Sequence, residues 1–262
     1  MSRRRRGGCL IITGVLVVAL VGAFFIVDGA LRGFAQGRAE AEIANRLPAN
    51  VTGDVSVKIG GLSVIAQYLT GSFEQVELTA PQLTVDGAAA SVRIRAAQVP
   101  VDTSQPIGHV TGTIDLDEAA LNTLLQASQE QGDDASAGPI EAGATELKLG
   151  ANEVTYAGTA SVFGIEVGYR ATATPSTSAD SLVLTPTEAE LSGFGGSLDA
   201  SGLLQLLLGE KPVSVCVAKY LPQGVTLTGV DVTPDRARIT LESSTLTLNE
   251  QSLTTLGSCS TA

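Results

Sequence analysis

The sequence predicts an α+β fold: a large curved antiparallel sheet wrapped around short helices, preceded by an N-terminal transmembrane helix. Three observations predict it. An uncharged apolar run, Gly7 to Val27, opens the chain; period-two alternation of apolar and polar residues fills most of the remainder; and three short leucine-rich stretches with helical spacing interrupt that alternation.

The apolar run has 21 residues and follows four arginines, Arg3 to Arg6. A helix needs about 20 apolar residues to cross a bilayer core, whereas the apolar region of a cleavable signal spans about 7 to 15. A retained anchor is favoured over a signal peptide, because Asp28 and Leu31 beside Gly29 and Ala30 make a poor small-residue cleavage site. Of 16 Lys and Arg, 12 follow the run, against all 27 Asp and Glu, so the positive-inside rule places residues 1–6 in the cytoplasm and the rest outside. The exported part carries 12 minus 27, or −15. A cell-membrane protein with a single pass (7–27), a helical stalk (28–48) and an extracytoplasmic domain (49–262) is expected. The stalk reading rests on the Ala-rich, mixed-charge stretch that ends at Pro48.

Beyond the stalk, Val55, Val57 and Ile59 alternate with Ser56 and Lys58, and Val76, Leu78 and Ala80 with Gln75, Glu77 and Thr79. The pattern returns in "ASVRIRAAQVPVD", "TELKLGANEVTYAGTASVFGIEVGYRATATP", "SLVLTPTEAEL" and "ARITLESSTLTL", punctuated by turns that 29 glycines help to supply. One long meandering sheet follows. The helical stretches are "LSVIAQYLTG", "DEAALNTLLQASQEQG" with Asp117 as N-cap, and "SGLLQLLLGE" from Ser201 to Glu210. "TIDLDEAALNTLLQ" and "SLDASGLLQLLLGE" look alike enough to raise a two-fold strand-plus-helix repeat.

Composition excludes several functions. Aromatic residues are 4% and tryptophan is absent, which removes the stacking platforms of single-strand binders, and a net charge of −11 disfavours a duplex; no nucleic-acid partner is expected. One histidine, His109, leaves no Cys2His2 or three-His metal site, and no G-x-S-x-G elbow is present. The carboxylate pairs Asp115 with Asp117, Asp133 with Asp134, and Glu188 with Glu190 read as solvated groups of an acidic domain. "GFGG" (193–196) reads as a tight turn. No catalytic residue, metal site or cofactor is expected, and the chain is not read as an enzyme. Cys216 and Cys259 lie in the exported part and are predicted to form a disulfide, worth about 4 kcal/mol in the chain-entropy picture. Cys9, at the start of the apolar run, lacks a lipobox.

A curved sheet lined by Val, Ile, Leu and Ala against apolar helices can hold acyl chains, which release about 0.8 kcal/mol per buried methylene and need no reactive group. The stretches "VSVKIGGLSVIAQYLTGSFEQVELTAPQLTVDG", "GTIDLDEAALNTLL" and "VCVAKYLPQGVTLTGVDVTPDRARITL" resemble the LmeA-type phospholipid-binding proteins of actinobacterial cell envelopes, over roughly Ala39 to Cys259. The resemblance implies a tubular, TULIP-like lipid-binding fold and an envelope or periplasmic location. It also implies binding of phosphatidylinositol-type or related phospholipids, with a part in building mannan-bearing glycolipids. It brings no catalytic residues. On spacing, Leu62, Ile65, Tyr68 and Leu69, with Phe73, form the entrance or wall of an acyl-chain cavity, together with Leu121, Leu124 and Leu125 of the second helix and Leu203, Leu206 and Leu207 of the third. The rival reading is an anchored adaptor β-domain, packed solid, that binds a protein partner and no lipid.

Overall fold

The computed structural model of the protein describes residues 5–47, 50–130, 140–162, 165–193, 196–199 and 212–259. It opens with a single 42-residue helix, α1 (Arg5–Arg46). Among the described residues no helix is long and apolar enough to cross a membrane. The transmembrane reading of residues 7–27 therefore rests on the sequence and not on the fold. From Asp28 onward α1 lies against the domain, packing on β2 (Ser56–Ile59) and α2 (Val64–Thr70), where the Glu40 carboxylate accepts from Val57 N–H at 2.8 Å.

The expected single sheet is two. The first has β1 (Val51–Thr52) and β2 side by side on the outer edge of β3 (Ser72–Val85), followed by β4 (Ala88–Pro100), β5 (His109–Leu116), β13 (Arg236–Ser243) and β12 (Thr226–Thr233). The second runs β6 (Ile140–Leu149), β7 (Val154–Val162), β8 (Ile165–Thr177) and β9 (Ser181–Gly193), with β10 (Gly196–Asp199) and β11 (Val213–Cys216) sharing the outer edge of β9. Every pairing is antiparallel. The break has a local cause. After β5 the chain enters helix α3 (Glu118–Glu130), and the far edge of β5 is taken by β13, so β6 has no strand to extend and starts a new sheet. The second copy of the suspected repeat, and the helix expected at 201–210, lie outside the described residues.

Alternation does what the sequence reading expected of it. In the first sheet one face carries Val76, Leu78, Ala80, Val92, Ile94, Val110, Ile114, Ile239 and Leu241, aligned by register, and the other carries the polar partners. On that polar face Glu77 meets Arg93 and Arg95 at 3.7 and 3.4 Å. Asp115 accepts from both Nε and Nη2 of Arg238, at 2.7 and 3.0 Å.

Helix α3 joins the sheets. Asp117 caps it, accepting from Ala120 N–H at 2.7 Å, and Leu121 packs among Leu149 of β6 and Val232 and Ala237 of the first sheet. The free edge of β6 is met by side chains. The Asn122 amide donates to Leu147 O at 2.8 Å and accepts from Leu147 N–H at 2.7 Å, as a neighbouring strand would, and Glu118 accepts from Leu149 N–H at 3.0 Å. On the other side β12 touches the turns of the second sheet, through Asn152 N–H to Val232 O (2.8 Å) and Leu227 N–H to Ala179 O (3.0 Å). The predicted disulfide is present: Cys216 of β11 is bonded to Cys259, with Cα atoms 5.9 Å apart. It pins the chain end, including the short helix α4 (Glu250–Thr254), beside the β8–β9 turn.

Asn122→Ala removes both hydrogen bonds to Leu147 and bares an edge strand. A loss of about 1–3 kcal/mol in urea unfolding, with increased self-association on gel filtration, is expected; an unchanged midpoint and monomeric elution would show that the edge needs no cover.

Candidate functional site

The second sheet has an apolar face that is, among the described residues, mostly only half-buried. Among the described residues no large side chain falls below 2% exposure, although thirteen strands present continuous apolar faces. Ordinary cores are packed to crystal density. In the second sheet the aligned row Leu147–Tyr156–Ala171–Ala189 lies beside the row Thr145–Gly158–Tyr169–Leu191. Farther along the same face come Leu184 with Val213, and Leu182 with Val215. The opposite face carries Glu146, Lys148, Arg170, Glu188 and Glu190, all exposed. Apart from Leu149, Pro175 and Ala189, the described residues of the apolar face are half-buried or exposed.

Two hydroxyls interrupt this surface. The rings of Tyr156 and Tyr169 lie 5.8 Å apart at their centroids, tilted by 35°. Gly158 makes room for them, because a Cβ there would stand 2.5 Å from the Tyr169 hydroxyl oxygen and 2.7 Å from the ring carbon that bears it. Burial, together with a hydrogen bond to Tyr156 and its proximity, pushes the Tyr169 phenol up to about 12, so it stays protonated.

A second apolar feature stands at the other end. Leu31, Phe34 and Ala35 of α1 face Val64, Ile65, Tyr68 and Leu69 of α2 and Phe73 of β3 around a cleft of about 320 Å³. The local chain explains its rigidity. Ser63 caps α2 by accepting from Ala66 N–H at 3.1 Å, and Gly71 closes it in the left-handed region at φ 85°. Gln67, buried, donates to Gly60 O and Ser63 O and accepts from Glu74 N–H at 2.7 Å. Gly61, at φ 85°, gives the amide of Gln67 its space: a Cβ there would sit 2.5 Å from the side-chain nitrogen.

One carboxylate fastens the two helices. Asp28 is 3% exposed and accepts from the Ser63 hydroxyl at 2.7 Å and Ile65 N–H at 2.9 Å. Arg32, one turn on, lies 3.6 Å from Asp28 and donates to Gly61 O at 2.8 Å and Leu62 O at 3.2 Å. The Ile65 amide bond is the foremost reason that the Asp28 carboxyl is held below its ordinary 3.8, helped by Ser63 and Arg32 against the opposing effect of burial.

The expected site residues are thus distributed. Ile65, Tyr68, Leu69 and Phe73 come together in the cleft. Leu62 precedes α2, does not line the cleft and is 84% exposed. Leu121 sits in the seam between the sheets, and Leu124 and Leu125 are half-buried on the same helix. Leu203, Leu206 and Leu207 lie outside the described residues. Sequence reasoning missed Leu31 and Phe34, which it had assigned to a free stalk, and the Asp28–Arg32–Ser63 fastening. It also missed Tyr156 and Tyr169, although both fall on the apolar phase of their strands and the alternation could have found them.

Of the groups considered for chemistry, Asp133 and Asp134 lie outside the described residues. Asp115 binds Arg238, Asp117 caps α3, Glu190 pairs with Arg170 at 3.5 Å, and His109 is exposed at the start of β5. Among the described residues no cluster of three His, Cys, Asp or Glu is placed to hold a metal.

Two open, antiparallel sheets with few helices, one apolar face half-buried and an apolar cleft between α1 and α2, define an α+β class of fold consistent with lipid binding. The chain belongs to the LmeA-like phospholipid-binding family, whose profile matches residues 26–242. No curated protein and no solved structure matches it.

Because the Asp28 carboxyl is depressed, its contribution is complete above the ordinary carboxylate value and is lost as pH falls through its lowered value. The amide resonance of Ile65 is expected to stay constant between about pH 8 and pH 5 and to move only below the ordinary 3.8. Movement near neutrality would mean that the carboxylate does not hold the amide.

Proposed function

We propose that the protein is a membrane-anchored, extracytoplasmic phospholipid-binding or lipid-transfer protein of the cell envelope, acting by binding and without catalysis. Membership of a phospholipid-binding family supports the lipid. The observation that carries the site is the apolar face around Tyr156 and Tyr169, which is half-buried among the described residues and suits acyl chains. The tetra-arginine followed by 21 apolar residues supports the anchor and its orientation. A phosphatidylinositol-type headgroup and a part in mannan-glycolipid assembly follow from the resemblance in sequence. The adaptor reading is less favoured, since a domain that only binds protein gains nothing from an open apolar interior.

Native mass spectrometry of the full chain released from detergent micelles is expected to show bound phospholipid, and a phospholipid with a photoreactive acyl chain is expected to cross-link to β7–β9. Ala171→Glu puts a carboxylate between the tyrosines and Ala189 on a half-buried position and should lower loading about tenfold or more, equivalent to about 1.4 kcal/mol, with the fold intact by circular dichroism. Wild-type loading in the folded variant would remove the site from this face. A lipid-free wild-type chain would favour the adaptor.

A further inference from the structure

We infer that the α1–α2 corner is a bilayer-docking surface: Leu62, Tyr68, Leu69 and Phe34 sit in the headgroup layer of the anchoring membrane, so that the cleft opens onto lipid and not onto water. The inference rests on the anchored lipid-binding reading above and adds where lipid enters.

The first argument is exposure. Leu62 is 84% exposed, Leu69 78%, Phe34 68% and Tyr68 62%. Three of these four line one cleft, and the fourth lies one residue before the Ser63 cap, its carbonyl held by Arg32. Grouped large apolar side chains of this kind mark a surface that meets something other than water.

The second argument is depth, which selects the bilayer as occupant. The uncharged run ends at Val27, and α1 continues unbroken beyond it. At about 1.5 Å per residue, Leu31 lies about 6 Å and Phe34 about 10 Å past the end of the run. Headgroup layers occupy about 5–8 Å on each side of the hydrocarbon core. Leu31 therefore lies within the headgroup layer and Phe34 at its outer margin, so the cleft opens across that layer, where Tyr68 is a residue type that settles.

The third argument is charge. The exported part carries a large negative excess, yet the cleft is lined by apolar residues and Tyr68 alone. Asp28, the carboxylate directly after the apolar run, is enclosed by Ser63, Ile65 and Arg32 and presents no bare charge to lipid. Arg32 keeps 29% of its side-chain surface open, a cation at the level of phosphate groups. The Asp28 fastening fixes α2 against α1, so the apolar tips are presented as one rigid surface.

The chain has no tryptophan, so single-tryptophan variants report one position each. Full-length Leu62→Trp and Leu69→Trp, with Thr187→Trp on the polar face of the second sheet as control, are reconstituted in phosphatidylcholine vesicles with or without brominated acyl chains. Positions 62, 69 and 187 are exposed, so the substitutions leave the core untouched. The expected result is blue-shifted emission from residues 62 and 69, most of it lost with brominated lipid and little with aqueous acrylamide, and the reverse at 187. Quenching at 62 is decisive, because Leu62 lies outside the cleft and reports the bilayer instead of a lipid bound within it. Asp28→Asn should raise acrylamide access at 62 and leave 187 unchanged. Acrylamide quenching at 62 and 69 equal to that at 187 overturns the docking surface. So does shielding from acrylamide without bromine quenching, which would mean a protein partner or a second copy. Native mass spectrometry of the same variants separates the two readings: bound lipid with residue 62 in water overturns docking alone, and bilayer-quenched residue 62 with no bound lipid overturns the lipid-binding reading alone.

Discussion

The rest of the structure depends on a shortage of bulk. Each of the two antiparallel sheets has a face of Val, Ile, Leu and Ala, with Tyr on the second, and the chain holds only six Phe, four Tyr and no Trp to cover such faces. At many interior positions it places Ala or Gly where a filled sandwich would place large residues, as in the run Tyr156, Ala171, Ala189. Apolar surface left without partner atoms forfeits both its dispersion contacts and its escape from water. Phospholipid binding by the family fits such a face, because an acyl chain is long, apolar and tolerant of shape.

Holding the faces open demands a frame that does not collapse onto itself. The seam supplies it with directional bonds where apolar packing would draw the sheets together. Asn122 and Glu118 pair the β6 edge, backbone bonds tie β12 to the turns at Asn152 and Ala179, and the Cys216–Cys259 bridge anchors the chain end at the β8–β9 turn. The only cluster in which both sheets share buried apolar residues, among those described, is the small one around Leu149, Val232 and Ala237. A second buried cluster, Val99, Ile107, Val110 and Leu246 with Phe73, Val76 and Ile94 packed on it, closes one end of the first sheet's apolar face, whereas most of the second sheet's apolar face is only half-buried.

The sequence made the strands legible because one face of each is solvated: Val76, Leu78 and Ala80 against Glu77 and Thr79 can be read only as a half-buried strand. Asp117 as a cap was equally plain, since its side chain serves the helix that follows it directly. The division into two sheets was not legible. It depends on β13 pairing β5 across 123 residues, Asp115 to Arg238, and no local pattern encodes a pairing at that distance. The cleft was half legible. Ile65 and Leu69 announced themselves by helical spacing, whereas Leu31 and Phe34 were hidden in a helix whose Ala-rich, charge-laced composition looks the same whether it stands free or lies on a domain. Asp28 was read as a flank of the apolar run, and its three partners are Ser63 and Ile65, 35 and 37 residues away, and Arg32 on the next turn of its own helix.

Asp28 also connects the two ends of the argument. A carboxylate at the edge of a hydrophobic span is costly unless it is paired and hydrogen-bonded, and here it is both. Its partners are Ser63, Ile65 and Arg32, so the same bonds that make the charge tolerable near lipid also set the angle at which the domain leaves α1. An uncharged residue at position 28 would suit the membrane as well but would leave α2 free to swing, and with it the walls of the cleft. The placing of one acidic residue directly after the apolar run is therefore what fastens α2, and with it the walls of the cleft, to α1.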